Sequence, residues 1–152
     1  MVKPWAYLDT SAFLKLYVKE YGSERVKKIT KENHVLSTAM LTVESFSALA
    51  RRHQSGDIED AAFARILNHL KNGAAAVETI RMTDDVLNLA GEITLRSAAR
   101  TMDAVHIASA LLFQNGAGIT IIFITADKKQ HNAALSEGLK SMYIGTAIPG
   151  SK

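Results

Sequence analysis

Five short apolar runs punctuate this chain: Trp5 to Leu8, Val35 to Leu36, Val77 to Ile80, Ile119 to Thr125 and Met142 to Ile144. Longer stretches whose apolar residues recur at helical spacing separate them. Parallel strands need a crossover between them, most often a helix, so this alternation predicts an α/β chain with a mostly parallel five-stranded sheet flanked by helices.

The helical stretches carry their own boundary signals. Ser11 to Lys19 places Phe13, Leu14, Tyr17 and Val18 on one face, and Gly22-Ser23 predicts a break and a cap for a helix over Glu24 to Asn33. Thr38 to Gln54 reads as a further helix, stopped by Ser55-Gly56-Asp57, which caps the next, Ile58 to Leu70. These two consecutive helices are expected to form a hairpin projecting from the sheet. Thr83-Asp84-Asp85 opens a helix to Ser97, Asp103 to Gln114 forms another, and Lys128 to Leu139 the last. No repeat or low-complexity linker interrupts the pattern, and 152 residues suit one domain, expected over 1–147 with a short tail at 148–152.

Composition removes several classes of chemistry. With no cysteine, the chain has no disulfide, thiolate zinc site or thiol nucleophile. The start, Met1-Val2-Lys3-Pro4-Trp5, meets a carboxylate at Asp9 before any signal-peptide core develops, and no apolar run approaches the ~20 residues of a membrane helix. The expectation is a cytoplasmic protein with no membrane association. A net charge of +3 tilts only mildly toward a polyanionic partner.

Ligands of doubly wound sheets bind beyond the carboxyl ends of the strands, and acids stand at several of those places. Asp9 follows the first strand in Tyr7-Leu8-Asp9-Thr10-Ser11, and Asp127 follows the fourth in Phe123-Ile124-Thr125-Ala126-Asp127. Asp103 stands where an apolar helix begins, in Arg100-Thr101-Met102-Asp103-Ala104-Val105-His106. Each, taken singly, suits a helix cap. Glu44, within Leu41-Thr42-Val43-Glu44-Ser45-Phe46, reads as interior to its helix, so it lies either on a narrow exposed stripe or is held inward by a cation. Four acids from four segments repel one another when gathered, and a hard divalent cation with oxygen ligands, Mg²⁺ or Mn²⁺, is the natural compensation.

The runs Tyr7-Leu8-Asp9-Thr10-Ser11-Ala12, Val43-Glu44, Thr101-Met102-Asp103-Ala104-Val105-His106-Ile107-Ala108 and Phe123-Ile124-Thr125-Ala126-Asp127 resemble, in order and spacing, the successive motifs of the PIN domain. More narrowly, they resemble the VapC-type toxins of prokaryotic toxin-antitoxin pairs. The resemblance reaches to about residue 144 and implies a PIN-like three-layer fold and a metal-dependent endoribonuclease. On it, Asp9 and Asp103 are the central metal ligands, and Asp127 and Glu44 complete or orient the shell. Thr10, Ser11 and Thr125 match hydroxyl positions that hydrogen-bond a carboxylate or phosphate. His106 ranks as a packing or supporting residue and not as a ligand. RNA as substrate, a cognate antitoxin whose tail enters the acidic groove, and a homodimer are also implied. The hairpin of Thr38 to Gln54 and Ile58 to Leu70 is then where the antitoxin docks.

A basic surround is expected from Lys15, Arg51, Arg52, Arg100, Lys128 and Lys129. With the four acids set aside from the 15, the chain holds 18 Lys and Arg against 11 other acids. Rival readings fit less well. An aspartyl-phosphate phosphatase needs a second Asp where Ser11 stands, and a receiver domain needs an acid at the end of the third strand, where Arg81 follows. A PIN-like module that binds RNA or a partner without cleaving, its acids serving as caps, is separated from the nuclease by metal dependence.

Overall fold

The structure is a computed structural model that describes residues 2–146; the expected tail at 148–152 lies outside them. Five strands and seven helices follow one another as β1 (Trp5–Leu8), α1 (Thr10–Leu14), α2 (Ser23–Glu32), β2 (His34–Thr38), α3 (Leu41–Gln54), α4 (Asp60–Ala74), β3 (Glu78–Ile80), α5 (Asp84–Ser97), α6 (Thr101–Ala117), β4 (Ile121–Thr125), α7 (Lys128–Ser136) and β5 (Lys140–Tyr143). All four strand pairings are parallel, in the order β3-β2-β1-β4-β5. The five-stranded sheet that the alternation of runs predicts as mostly parallel is wholly parallel. The chain builds outward from β1 on one side and then returns to build on the other, which leaves a switch point between β1 and β4.

Side chains alternate across each strand, so each face of the sheet acquires its own core. Tyr7 and Phe123 point to one face, stacked with ring centroids 5.1 Å apart, among Leu36, Ile93, Ile107 and Ile121 under α5 and α6. Ala6, Leu8 and Ile124 point to the other, among Phe13, Leu41, Leu49 and Leu70. The result is the three-layer architecture of α/β folds with both faces covered.

Several boundaries differ from the sequence reading for identifiable reasons. Thr38 ends a strand and does not begin a helix. Ser37 and Thr38 are buried and pair with β3, with Ser37 Oγ donating to Leu8 O at 2.7 Å, so two polar residues extend β2 and delay α3 to Leu41. Helix α1 stops at Leu14 instead of Lys19. There the backbone tightens into i to i−3 bonds from Lys15, Leu16 and Tyr17, and the Lys15 ammonium turns in to Tyr21 O at 2.6 Å. Gly22, at φ 87, precedes α2, whose expected side-chain cap is absent; Ser23 Oγ donates instead to Val18 O. Asp57 does not cap α4, which begins at Asp60, because Arg52 holds it at 2.7 Å. Helix α6 runs past Asn115-Gly116 to Ala117 and stops where Gly118 adopts φ 65, and α7 stops at Ser136, short of Leu139. The α3–α4 hairpin is present, stapled by His53 stacked on Phe63 with centroids 4.1 Å apart. No helix among the described residues is long and apolar enough to cross a membrane.

Candidate active site

At the carboxyl edge of β1 and β4, a cleft of about 570 Å³ is lined by Asp9, Thr10, Ser11, Glu44, Arg51, Arg100, Asp103, His106 and Asp127, among others. The four acids singled out in the sequence thus face one space, although they come from four segments. Two walls of the cleft belong to different layers. Glu44 stands on α3, and Asp103 and His106 on α6.

Asp9 follows β1 and is only 4% exposed. Its Oδ1 accepts from Ala12 N at 2.9 Å, which caps α1, and from Ser11 Oγ at 2.7 Å, while Oδ2 accepts from Thr125 Oγ1. Burial pushes its pKa up, against the lowering by His106, Thr125, Ser11 and Ala12 N, so the ionised carboxylate is held at a cost. Ser11 also ties the two strand ends together: Ala126 N donates to Ser11 Oγ at 2.9 Å, and Ser11 Oγ lies 3.3 Å from Thr125 Oγ1, which also accepts from the neighbouring Asp127 N at 3.0 Å. Asp127 caps α7 through Lys129 N and Gln130 N, so capping and membership of the cleft coexist in one residue.

Asp103 does not cap. Helix α6 begins at Thr101 with Arg100 in the N-cap position, which places Asp103 in the first turn with its carboxylate in the cleft. Burial raises its pKa and the nearby Asp127 adds to that, against Arg100 and His106. Glu44 also lies in a first turn, that of α3, because the helix starts later than Thr38. Its Oε1 accepts from Thr10 Oγ1 at 2.8 Å and faces His106 Nε2 at 2.6 Å. Burial favours its neutral form, but the His106 and Thr10 bonds outweigh that and hold its pKa below the ordinary value. Glu44 is thus held inward, but by the Thr10 hydroxyl and the His106 imidazole and not by the cation that its sequence context suggests.

Of the buried chain behind the cleft, the sequence reading names His106 as a packing or supporting residue and misses Tyr7. The Tyr7 phenol, kept protonated by burial, donates to His106 Nδ1 at 2.8 Å, which leaves Nε2 as the protonated nitrogen facing Glu44. The available signal for Tyr7 was parity: it lies two residues before Asp9, on the strand that Asp9 follows. The basic residues divide. Arg51 and Arg100 line the cleft, while Lys128 and Lys129 line an adjoining cavity. Lys15 and Arg52 are engaged elsewhere, Lys15 with Glu20 at 3.2 Å and Arg52 with Asp57 and Glu20.

The donor set suits a hard divalent cation in kind: carboxylate oxygens from Asp9, Glu44, Asp103 and Asp127, with the surplus negative charge met only in part by Arg100. As the side chains lie, no three His, Asp or Glu groups among the described residues close to the spacing of a coordination shell. Arg100 stands between two of the acids, with Nε 3.2 Å from Asp103 Oδ2 and Nη2 3.1 Å from Asp127 Oδ2.

The PIN domain family model matches residues 6–135. The chain is 34% identical over 105 residues to ribonuclease VapC46 of Mycobacterium tuberculosis, a match spanning 68% of this chain and 72% of that protein. It is 28% identical over 138 residues to ribonuclease VapC49 of the same organism, spanning 90% and 94% of the two. In fold it is similar to a crystal structure of a member of the VapBC family of toxin-antitoxin systems, VapBC-5, also from Mycobacterium tuberculosis, with TM-score 0.59, 18% identity and coverage of 93% and 98%.

Proposed function

This chain belongs to the PIN domain family, and from that premise we propose that it is a metal-dependent endoribonuclease acting as the toxin of a toxin-antitoxin pair. The observation that carries the reading is the gathering of Asp9, Glu44, Asp103 and Asp127 from four segments into one cleft at the sheet's switch point.

Asp9 and Asp103 hold the ion, Mg²⁺ or Mn²⁺, and Asp127 and Glu44 complete its surround. When bound, such an ion makes a water more acidic and offsets charge on the phosphoryl and leaving oxygens. The chain's own residues supply position. Ser11 and Thr125 fix both oxygens of Asp9, and Thr10 with His106 fixes Glu44. Arg51 and the neighbouring Lys128 and Lys129 draw in the phosphate backbone. Acids alone do not choose RNA over DNA; that preference rests on the ribonucleases it is similar to.

The partner is a cognate antitoxin, which the likeness to relatives of the VapC type supports. The α3–α4 hairpin is its dock: Val43 is exposed there, and Ser47 and Arg51 of the same helix line the cleft. A homodimer is supported by Leu87 and Leu95, exposed on α5 and about two turns apart. The protein acts in the cytoplasm, as a domain spanning 1–147.

Mn²⁺ titration with a melting readout tests the metal site. Wild type gains melting temperature with Mn²⁺ and cleaves RNA, whereas Asp9→Asn and Asp103→Asn lose both. Undiminished cleavage by pure, folded Asp103→Asn would sink the assignment.

A further inference from the structure

We propose that Arg100 is an exchangeable internal counter-ion: it bridges Asp103 and Asp127 until a divalent cation displaces it, and then turns its guanidinium to a phosphate of the substrate. The inference rests on the reading of the four acids as a metal site.

Two different nitrogens of Arg100 reach two different acids, Nε to Asp103 and Nη2 to Asp127. A planar fork in that position holds together carboxylates that would otherwise repel, which is also what a cation between them does. The Arg100 side chain is 77% exposed. Ion pairs so open to water are weak, so a divalent cation can outcompete them. The backbone at Arg100 serves as the N-cap of α6, with φ −65 and ψ 155, and is independent of where the side chain lies. Displacement of the guanidinium therefore leaves the helix, and with it Asp103, in place.

The place it moves to is also defined. Arg100, Asp103 and Asp127 form the wall between the acidic cleft and an adjoining cavity of about 1020 Å³ that holds Lys128 and Lys129, with Arg96 there already paired to Glu137. One side chain on a shared wall reaches either space. On the acidic side it neutralises the site, and on the basic side it joins a surface suited to phosphates.

The test is calorimetric titration of Mn²⁺ into wild type, R100Q, R51Q and D103N without RNA. Arg51 lines the same cleft but bonds Ser47 at 2.6 Å, so R51Q removes an equal charge without opening the bridge. R100Q is expected to bind Mn²⁺ about 2–10-fold more tightly than wild type, the loss of two weak ion pairs, with R51Q changing less than about 2-fold. Binding of a phosphorothioate RNA oligonucleotide is then followed against salt. With Mn²⁺, R100Q should lower the salt slope by about 0.7, one phosphate contact on a single strand, and with EDTA it should leave the slope unchanged. Equal Mn²⁺ affinity in R100Q and wild type, an equal gain in R51Q, or the same slope change with and without Mn²⁺ would each overturn the exchange. Mn²⁺ binding by D103N equal to wild type would overturn the metal site itself, which keeps the two failures apart.

Discussion

The Tyr7 hydroxyl lies 2.8 Å from His106 Nδ1, with the two rings edge-on at 85°. Tyr7 is fully buried and its phenol is held protonated, so this bond sets which imidazole nitrogen faces Glu44. Tyr7→Phe leaves Nδ1 buried without a donor and should cost about 1–3 kcal/mol, read by denaturant melts. RNA cleavage should fall as well, because Nε2 no longer has a fixed proton to give Glu44. Wild-type stability and activity in Tyr7→Phe would remove the relay from the account.

Asp103 makes the site costly in a measurable way. Its folded pKa is raised, first by burial and then by Asp127, so the ionised form is less favourable in the folded chain than in the unfolded one. The penalty applies above the folded pKa and fades as pH falls through it. Asp103→Asn should therefore melt higher than wild type at pH 7 without added metal, with the gap closing as pH drops toward about 4. A gap that is absent, or that widens in acid, contradicts the assigned burial cost.

Glu137 behaves in the opposite sense. Arg96 grips it with Nε at 2.9 Å and Nη2 at 2.6 Å, and that hydrogen bonding holds its pKa below the ordinary value. The stabilisation is present above the unfolded value of about 4.3 and is lost as pH falls through the folded one. Glu137→Gln should show a shallower loss of melting temperature below about pH 4.5 than wild type. Parallel acid curves for the two proteins would refute this.

Gly73 near the end of α4 faces the ring and hydroxyl of Tyr17, and a Cβ there would overlap both. Alanine should gain about 1 kcal/mol of helix propensity, but overpacking costs about 1–3 kcal/mol and is expected to win. Gly73→Ala should be destabilised in denaturant melts, and Tyr17→Leu in the same chain should recover part of the loss. A stabilised Gly73→Ala would show that Tyr17 swings away freely.

The sheet, its two helical layers and the four acids are legible in the sequence because each leaves a periodic or positional trace. Val35-Leu36 marks a strand, and Asp9 marks the end of one. What stays hidden depends on tertiary bonds. Ser37 and Thr38 carry β2 onward only because Leu8 and β3 receive them, and Glu44 falls in a first turn as a result. Arg100 is one of six candidate cations in the sequence; its distinction is that two carboxylates converge on it, which no local pattern encodes. Asp103 resembles a cap because helix N-termini favour Asp, yet Thr101 has already begun the helix.

The hydroxyl clasp of Ser11 and Thr125 across the ends of β1 and β4 has a meaning for folding as well as for the cleft. Tyr7 pairs with Phe123 and Leu8 with Ile124, and only in that alignment does Thr125 reach Asp9, which Ser11 bonds locally, while Ser11 receives Ala126 N. A slip of one residue would shift Thr125 by about 3.3 Å and turn it to the far side of the sheet. The same bonds that aim the carboxylate therefore act as a lock with one key position, so that a misaligned pair of central strands forfeits the clasp and an assembled cleft certifies a correctly threaded sheet.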